Sequence, residues 1–221
     1  MKRFLGLDVG GANVKAVLLE ADAGEILNLK TLTLYFPIWK LGKERLPKTL
    51  KSVKESLTAE LHIDGLGLTF TAELSDVYQN KREGVSHIVN SVAEVFRGIP
   101  ILVVNCYGEL VTVDEALREP LKVASANWAA SGWLASKFFR EALVLDIGST
   151  TTTIVPVKDG RIAVEGRNDL EKLSCGELVY TGALRTNVAS ILGKVKVKGV
   201  LTVSYTHLRA HETSLHLVCR L

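Results

Sequence analysis

The sequence has few cysteines, no long apolar run and almost no excess of charge. Its 221 residues include three scattered cysteines, at positions 106, 175 and 219, which build no disulfide framework and predict a cytoplasmic protein. No run of about 18 apolar residues occurs, and the N-terminus MKRFLGLDVGG lacks the apolar segment and cleavage site of a signal peptide. We therefore expect no membrane span. A net charge of +3, from 27 Lys and Arg against 24 Asp and Glu, is too small to imply a nucleic-acid or membrane partner.

The composition that is present is ordinary for a globular protein. Hydrophobic residues make up 47% and charged residues 23% of the chain, which argues against disorder. At about 150 residues per domain, the length predicts one domain or two small ones. A chain of this size buries a core without a disulfide or a metal to hold it together.

Apolar periodicity predicts two strand meanders separated by alternating helices and strands. Alternating apolar residues between turn signals predict strands, and apolar residues at spacings of three and four predict amphipathic helices. The predicted elements are strands 3–9, 14–20 and 25–35, helix 43–61, strand 65–71, helix 84–97, strand 101–104, helix 127–139 and strands 142–147, 154–157 and 161–166. The last three strands repeat the opening meander.

The two meanders contain the same kind of loop, and their aspartates are 138 residues apart. The first loop, GLDVGGANVK, supplies Asp8, Gly10, Gly11, Asn13 and Lys15; the second, VLDIGSTTT, supplies Asp146, Gly148, Ser149, Thr150 and Thr151. Glycine permits a tight turn and close approach of a ligand, and consecutive N–H groups form an anion site to which hydroxyls add donors. An aspartate at the mouth of such a loop suits Mg²⁺. One copy also fits a plain hairpin, whereas two copies favour phosphate binding.

Together the loops resemble the phosphate-1 and phosphate-2 motifs of the actin, Hsp70 and sugar-kinase superfamily. The resemblance implies an α/β fold of RNase-H-like lobes, with a nucleotide or another polyphosphate between them. We expect the first lobe, with the first loop, over 1–140, and the start of a second lobe, with the second loop, over 141–202.

Residues 203–221 do not continue the preceding patterns. Their first part, VSYTHLRAHET, resembles one reading frame of an adapter used in sequencing libraries. We expect a non-native tail from residue 203, a second lobe that is truncated near Thr202, and a 221-residue product that is inactive and poorly soluble. The tail also holds three of the five histidines, whose spacing would permit a helical metal site; the adapter interpretation is preferred.

Further strings narrow the resemblance to one family. TFTAELSD at 69–76, NWAASGW at 127–133 and GELVYTGALRT at 176–186 resemble hydantoinase/oxoprolinase-like proteins of the tetrahydromethanopterin-linked C1 pathway, over about residues 3–200. The resemblance implies a transferase of methanofuran biosynthesis. Such an enzyme joins an aminomethylfuran-methyl diphosphate to the phenol of γ-glutamyltyramine, as an ether, and releases diphosphate. Mg²⁺ and backbone N–H groups would stabilise the leaving group.

The resemblance and the residue chemistry together give a set of candidate site residues. Asp8 and Asp146 are the candidate Mg²⁺ carboxylates, and Asp146 is also a candidate catalytic residue; the alternative for each is an aspartate that caps its own turn. Glu73 and Asp76 follow a strand end, where one of them would serve as general base for the phenol or bind the substrate amine. Their alternative role is to stabilise a helix N-terminus.

The remaining candidates bind phosphate. They are Gly10, Gly11, Asn13, Lys15, Gly148, Ser149, Thr150, Thr151, Gly176 and Glu177. Lys15 is equally well explained as a solvated strand lysine. Gly176 and Glu177 are expected to open a helix whose amides face an anion.

Two other functions fit the same fold. An ATP-dependent kinase or a hydantoinase/oxoprolinase-type hydrolase would hold ATP in the phosphate loops. A non-catalytic, actin-like scaffold would need self-complementary surfaces, and the family strings disfavour it. The expected partners of the preferred enzyme are therefore small molecules, a diphosphate and a phenolic amine.

Overall fold

The structure, a computed structural model, describes residues 1–58, 61–183, 186, 188–191, 194–197 and 200–203. The chain divides into two compact units, residues 1–130 and 131–221. The boundary predicted from the sequence lies after residue 140. The predicted tail, except for Val203, lies outside the described residues and stays a prediction.

A mixed sheet forms the centre of the first unit. Its strands are β1 (Lys2–Val9), β2 (Asn13–Asp22), β3 (Glu25–Tyr35), β4 (Gly65–Phe70), β5 (Ile101–Val104) and β6 (Leu110–Thr112). The strand order is β3-β2-β1-β4-β5-β6. The first three strands form the antiparallel meander, whereas β4 and β5 run parallel to β1, and β6 is antiparallel to β5. This order is the RNase-H-like topology that the sequence resemblance implies.

The helices of this unit follow the apolar periodicity where they are long. They are α1 (Ile38–Leu41), α2 (Leu46–Leu57), α3 (Lys81–Val95), α4 (Val113–Arg118), α5 (Pro120–Val123) and α6 (Asn127–Phe138), which continues past residue 130. The spacing of Leu46, Leu50, Val53 and Leu57 places them on the buried face of α2. Asn80 caps α3, because its side chain accepts a hydrogen bond from the Glu83 amide.

The second unit repeats the start of the first. Its described elements are β7 (Ala142–Ile147), β8 (Thr152–Lys158), β9 (Arg161–Ile162), α7 (Asp169–Ser174), β10 (Leu178–Val179), α8 (Val188–Ile191), β11 (Lys194–Val197) and β12 (Val200–Val203). Strand β8 pairs with β7 along its length and with β9 and β10 on its other edge. The meander β7-β8-β9 is confirmed, but the predicted strand 161–166 ends at Ile162, because the chain turns away there to begin the loop before α7.

The first strands of the two meanders, β1 and β7, differ in how much of their apolar surface is buried. Leu5, Leu7 and Val9 of β1 are between 0% and 3% exposed, beneath helices of the first unit. In the second unit the residues at the same distances from the loop aspartate, Leu143, Leu145 and Ile147, are between 55% and 64% exposed. Strand β7 therefore presents an apolar face to solvent.

Among the described residues, no helix is both long enough and apolar enough to cross a membrane.

Candidate functional site

The first loop is a tight turn between β1 and β2. The Gly10 amide donates to the Asn13 carbonyl oxygen over 2.9 Å. A Cβ at Gly10 would lie 3.1 Å from that oxygen, so a side chain here would crowd the turn. Gly10 therefore permits the tight turn, as the sequence predicted.

The carbonyl groups of the loop are fixed by the chain that follows β3. The Gly11 oxygen accepts from the Ile38 amide at 3.0 Å, and the Ala12 oxygen accepts from the Phe36 amide at 2.8 Å. Within the described part of the chain, the amides of Gly11 and Ala12 donate to no protein acceptor. Two neighbouring N–H groups are thus available to an anion.

Asp8 lies at the end of β1, directly opposite Lys15 on β2. Its Oδ2 is 3.1 Å from Lys15 Nζ, while its Oδ1 is buried and has no hydrogen-bond partner. A carboxylate with one buried, unpartnered oxygen at the mouth of an anion loop fits a contact to a hydrated Mg²⁺. Across the described residues there is no group of three or more His, Cys, Asp or Glu side chains arranged to hold a metal. Phosphate and water would have to supply most ligands of such an ion.

The second loop has the same backbone geometry. The Gly148 amide donates to the Thr151 oxygen over 2.8 Å, and a Cβ at Gly148 would lie 3.2 Å from that oxygen. Among the described residues, the amides of Ser149 and Thr150 have no protein acceptor. The sequence prediction of two equivalent turns is confirmed at the level of the backbone.

The GELVYTG string packs against this second loop. Thr152 Oγ1 donates to the Thr181 oxygen at 2.8 Å, and the Ala183 amide donates to the Gly148 oxygen at 2.9 Å. A Cβ on Gly182 would lie 2.5 Å from the Thr150 nitrogen, so only glycine permits this approach. The second half of the string therefore supports the loop.

Gly176 and Glu177 do not open a helix, so that part of the prediction is wrong. Gly176 follows α7 with a φ of 74°, and the short strand β10 begins at Leu178. A left-handed glycine after a helix is a C-terminal cap. The helix in this region is α7, which ends before Gly176.

The Glu177 carboxylate is directed into its own unit. It accepts hydrogen bonds from the amides of Glu165 at 2.7 Å and Gly166 at 3.1 Å, and Lys172 Nζ lies 3.3 Å from Oε2. Lys172 is buried; burial lowers its pKa, and the Glu177 charge opposes that shift. These contacts give Glu177 a structural role, whereas phosphate binding by it stays a prediction.

The two carboxylates after β4 are in different environments. Glu73 lies in a single 3-10 turn, Ala72–Leu74, and is 2% exposed. Asp76, three residues later, is exposed. A substrate would therefore reach Asp76 without movement of the chain, but not Glu73.

Glu73 is held from two sides. The Ser125 hydroxyl donates to Glu73 Oε1 at 2.9 Å, and Glu73 Oε2 is buried without a partner. On the other side, a Cβ on Gly84 of α3 would lie 2.6 Å from Glu73 Cβ. Burial raises the pKa of Glu73 from 4.5 to about 7, although the Ser125 hydroxyl and the positive charge of Lys81 lower it.

The first loop and the turn at Glu73 are neighbours. The Thr71 amide donates to the Val9 oxygen at 3.0 Å, and a Cβ on Gly10 would lie 3.8 Å from Thr71 Oγ1. The carboxyl end of β4 thus lies beside the candidate phosphate loop. The structure brings Asp8, Gly10, Gly11 and Thr71 into one region of the first unit, and the turn with Glu73 and Asp76 follows Thr71.

Sequence reasoning missed Ser125 and Gly84. Ser125 is 52 residues from Glu73 and has a φ of 53°. A non-glycine residue in the left-handed region is uncommon and points to a local constraint. No sequence pattern indicated this contact, and Gly84 was predicted only as the first residue of helix 84–97.

Comparisons with known proteins extend these observations. The chain is 38% identical over 200 residues to the (4-{4-[2-(gamma-L-glutamylamino)ethyl]phenoxymethyl}furan-2-yl)methanamine synthase of Methanocaldococcus jannaschii, covering 90% of this chain and 56% of the relative. It is 40% identical over 63 residues to the protein of that name from Methanococcus vannielii, covering 28% of each chain. The chain thus spans about half the length, or less, of the curated relatives it matches.

A solved structure resembles the chain more distantly. The type II variant of the Aquifex aeolicus Ppx/GppA phosphatase aligns over 74% of this chain and 51% of its own, with 14% identity and a TM-score of 0.44. The sequence profile of the hydantoinase/oxoprolinase family matches residues 64–209. That match covers well over half of the chain, so the chain belongs to the hydantoinase/oxoprolinase family.

Proposed function

We propose that the protein is a transferase of methanofuran biosynthesis, acting in the cytoplasm. It joins an aminomethylfuran-methyl diphosphate to the phenol of γ-glutamyltyramine and releases diphosphate. The observation that carries the proposal is the 38% identity, over 90% of this chain, to a relative that bears the name of that synthase. The residues of the first unit suit both halves of the reaction.

The donor half of the reaction needs a site for diphosphate. The amides of Gly11 and Ala12 would bind its oxygens, with Asn13 and Lys15 at the edge of the same loop. Negative charge develops on the leaving group as the CH₂–O bond breaks, and preorganised N–H donors stabilise it there. The second loop, with Gly148, Ser149, Thr150 and Thr151, offers equivalent donors.

The proposed metal is Mg²⁺. Asp8 would hold it through the buried oxygen that has no protein partner, and Asp146 is the corresponding carboxylate of the second unit. Bound Mg²⁺ would supply positive charge to the leaving diphosphate.

The acceptor half needs a group that receives the phenol proton. The phenol oxygen attacks the CH₂ carbon, the CH₂–O bond breaks, diphosphate leaves with the bridging oxygen, and the proton passes to a carboxylate. The sequence offers two candidates for this acceptor, Glu73 and Asp76, in the segment that follows Thr71 at the end of β4, and only Asp76 is exposed to a substrate.

The test is incubation of the purified protein with Mg²⁺, both substrates and no ATP. It is made with the 221-residue chain and with the protein read from source DNA past codon 202. Ether product and released diphosphate, detected by mass spectrometry, support the proposal. Absence of ether with both proteins, together with ATP consumption on another substrate, contradicts it and favours the kinase or hydrolase alternative.

A further inference from the structure

The segment from Thr71 to Asp76 connects the candidate phosphate loop to an exposed carboxylate. The Thr71 amide donates a hydrogen bond to the Val9 oxygen beside the loop, and Asp76 is exposed at the other end of the segment. Short-range hydrogen bonds hold the turn: the Leu74 amide donates to Thr71 at 3.3 Å and the Ser75 amide to Ala72 at 3.0 Å.

Glu73 supplies a long-range connection for this turn. Its Oε1 accepts from Ser125 across 52 residues of sequence, and its backbone packs against Gly84 of α3. Both Glu73 and Ser125 are buried. A buried side chain held by a serine with left-handed backbone and by a glycine contact has one orientation.

From this geometry, and resting on the proposed function, we propose that the two carboxylates have separate tasks. Asp76 is the catalytic residue that receives the phenol proton. Glu73 is a positioning residue, and with Ser125 it fixes the segment that carries Asp76 beside the first loop. The exposed Asp76 carboxylate contacts the substrate, whereas the buried Glu73 carboxylate does not.

This division predicts opposite behaviour for two isosteric variants. In whichever of the two tested proteins forms the ether, Asp76→Asn cannot accept the proton and loses most of kcat. Glu73→Gln keeps an oxygen that accepts from Ser125, so it retains activity and an unchanged pH–rate profile. Glu73→Ala removes the connection and loses activity, and recovery in Glu73→Gln identifies a positioning role.

The second readout does not depend on activity. Amide hydrogen exchange of Leu74, Ser75 and Tyr78 is measured by NMR in the purified protein. We expect exchange to become about tenfold faster in Glu73→Ala and in Ser125→Gly, and to stay near wild type in Glu73→Gln. Ser125→Gly removes the hydroxyl but relaxes the left-handed backbone, so it folds. Ser91→Ala, at another buried serine in α3, is the matched control and leaves the exchange unchanged.

The outcomes separate the inference from the proposed function. Loss of activity in Glu73→Gln with normal amide exchange would make Glu73 the proton acceptor and overturn the inference. Unchanged exchange in both Ser125→Gly and Glu73→Ala would overturn the positioning role. Failure of the wild-type protein to form the ether from its substrates would instead contradict the proposed function, while the exchange results would still decide the positioning role.

Discussion

Lys15 Nζ lies 3.1 Å from Asp8 Oδ2 across the first meander. The equivalent aspartate of the second meander, Asp146, lies opposite Thr153. The two loops therefore have the same backbone turn and an aspartate at the same position, but they differ in the residue opposite that aspartate. A cation at this position gives the first loop an additional attraction for an anion.

Replacement of Lys15 tests that attraction. We expect Lys15→Met to weaken binding of inorganic diphosphate, measured by calorimetry with Mg²⁺ present, by about tenfold. The unfolding temperature stays unchanged, because the lysine is 61% exposed and exposed ion pairs contribute little stability. Lys30→Met, which removes an exposed lysine from β3, is the control. Equal affinity in Lys15→Met and wild type would show that Lys15 only neutralises Asp8.

Gly11 tests the proposed use of the loop amides. A Cβ there meets no atom within 4 Å, so Gly11→Ala leaves the fold intact and adds a methyl group where the ligand would bind. We expect diphosphate affinity to fall severalfold while the thermal melt is unchanged. Gly67→Ala, on β4 with equally open surroundings, keeps wild-type affinity. Normal binding by Gly11→Ala would exclude this loop as the diphosphate site.

Buried Glu73 makes the stability of the first unit depend on pH. Its pKa is about 7 in the folded chain and 4.5 as the unperturbed value that applies to the unfolded chain, so the folded state binds the proton more strongly. Protonation of Glu73 therefore stabilises the folded state. This contribution is complete below pH 4.5 and is lost as pH rises through 7, by up to about 3 kcal/mol. The positive charge of Lys81 lowers the pKa of Glu73. Burial raises the pKa of the neighbouring Tyr78, and the Glu73 charge raises it further.

Glu73→Gln removes that titration. We expect its unfolding free energy, from urea denaturation, to vary less between pH 5 and 8 than that of the wild type, and to exceed the wild-type value at pH 8. A steeper fall for wild type than for the variant supports a buried, protonated Glu73. Parallel pH profiles of the two proteins would contradict it.

The apolar face of β7 predicts self-association of the 221-residue chain. Leu145 is 55% exposed and Leu7, at the same position of the first meander, is 3% exposed. We expect Leu145→Lys to reduce the associated fraction in light scattering without lowering the melting temperature. Leu7→Lys buries a charge and unfolds the first unit. A monomeric wild-type chain at high concentration would contradict this prediction.

The sequence predicted the parts of the fold that local patterns determine. The bounds of β3, β5 and β7 are as predicted, because strong alternation or a buried run ends at a clear turn signal. The short elements α1, β6, α4, α5 and α7 were missed, since three to six residues show no reliable period. Helix 43–61 proved to be a 3-10 turn followed by α2, which begins at Leu46.

The candidate site was predictable to the same extent. Glycine and aspartate spacing identified both loops because each turn is formed by adjacent residues. The burial of Glu73 depends on Ser125 and Gly84, which only the folded chain brings into contact with it. For that reason the sequence left Glu73 and Asp76 equivalent, and the structure distinguishes them.

The most direct test of the proposed reaction follows the phenol oxygen of γ-glutamyltyramine, labelled with a heavy oxygen isotope. The protein is incubated with the labelled phenol, the aminomethylfuran diphosphate and Mg²⁺, without ATP, and the products are analysed by mass spectrometry. Attack by the phenol on the CH₂ carbon places all of the label in the ether and none in the released diphosphate. Label in a phosphorylated phenol, or an ether that forms only when ATP is hydrolysed, would contradict the proposed transferase.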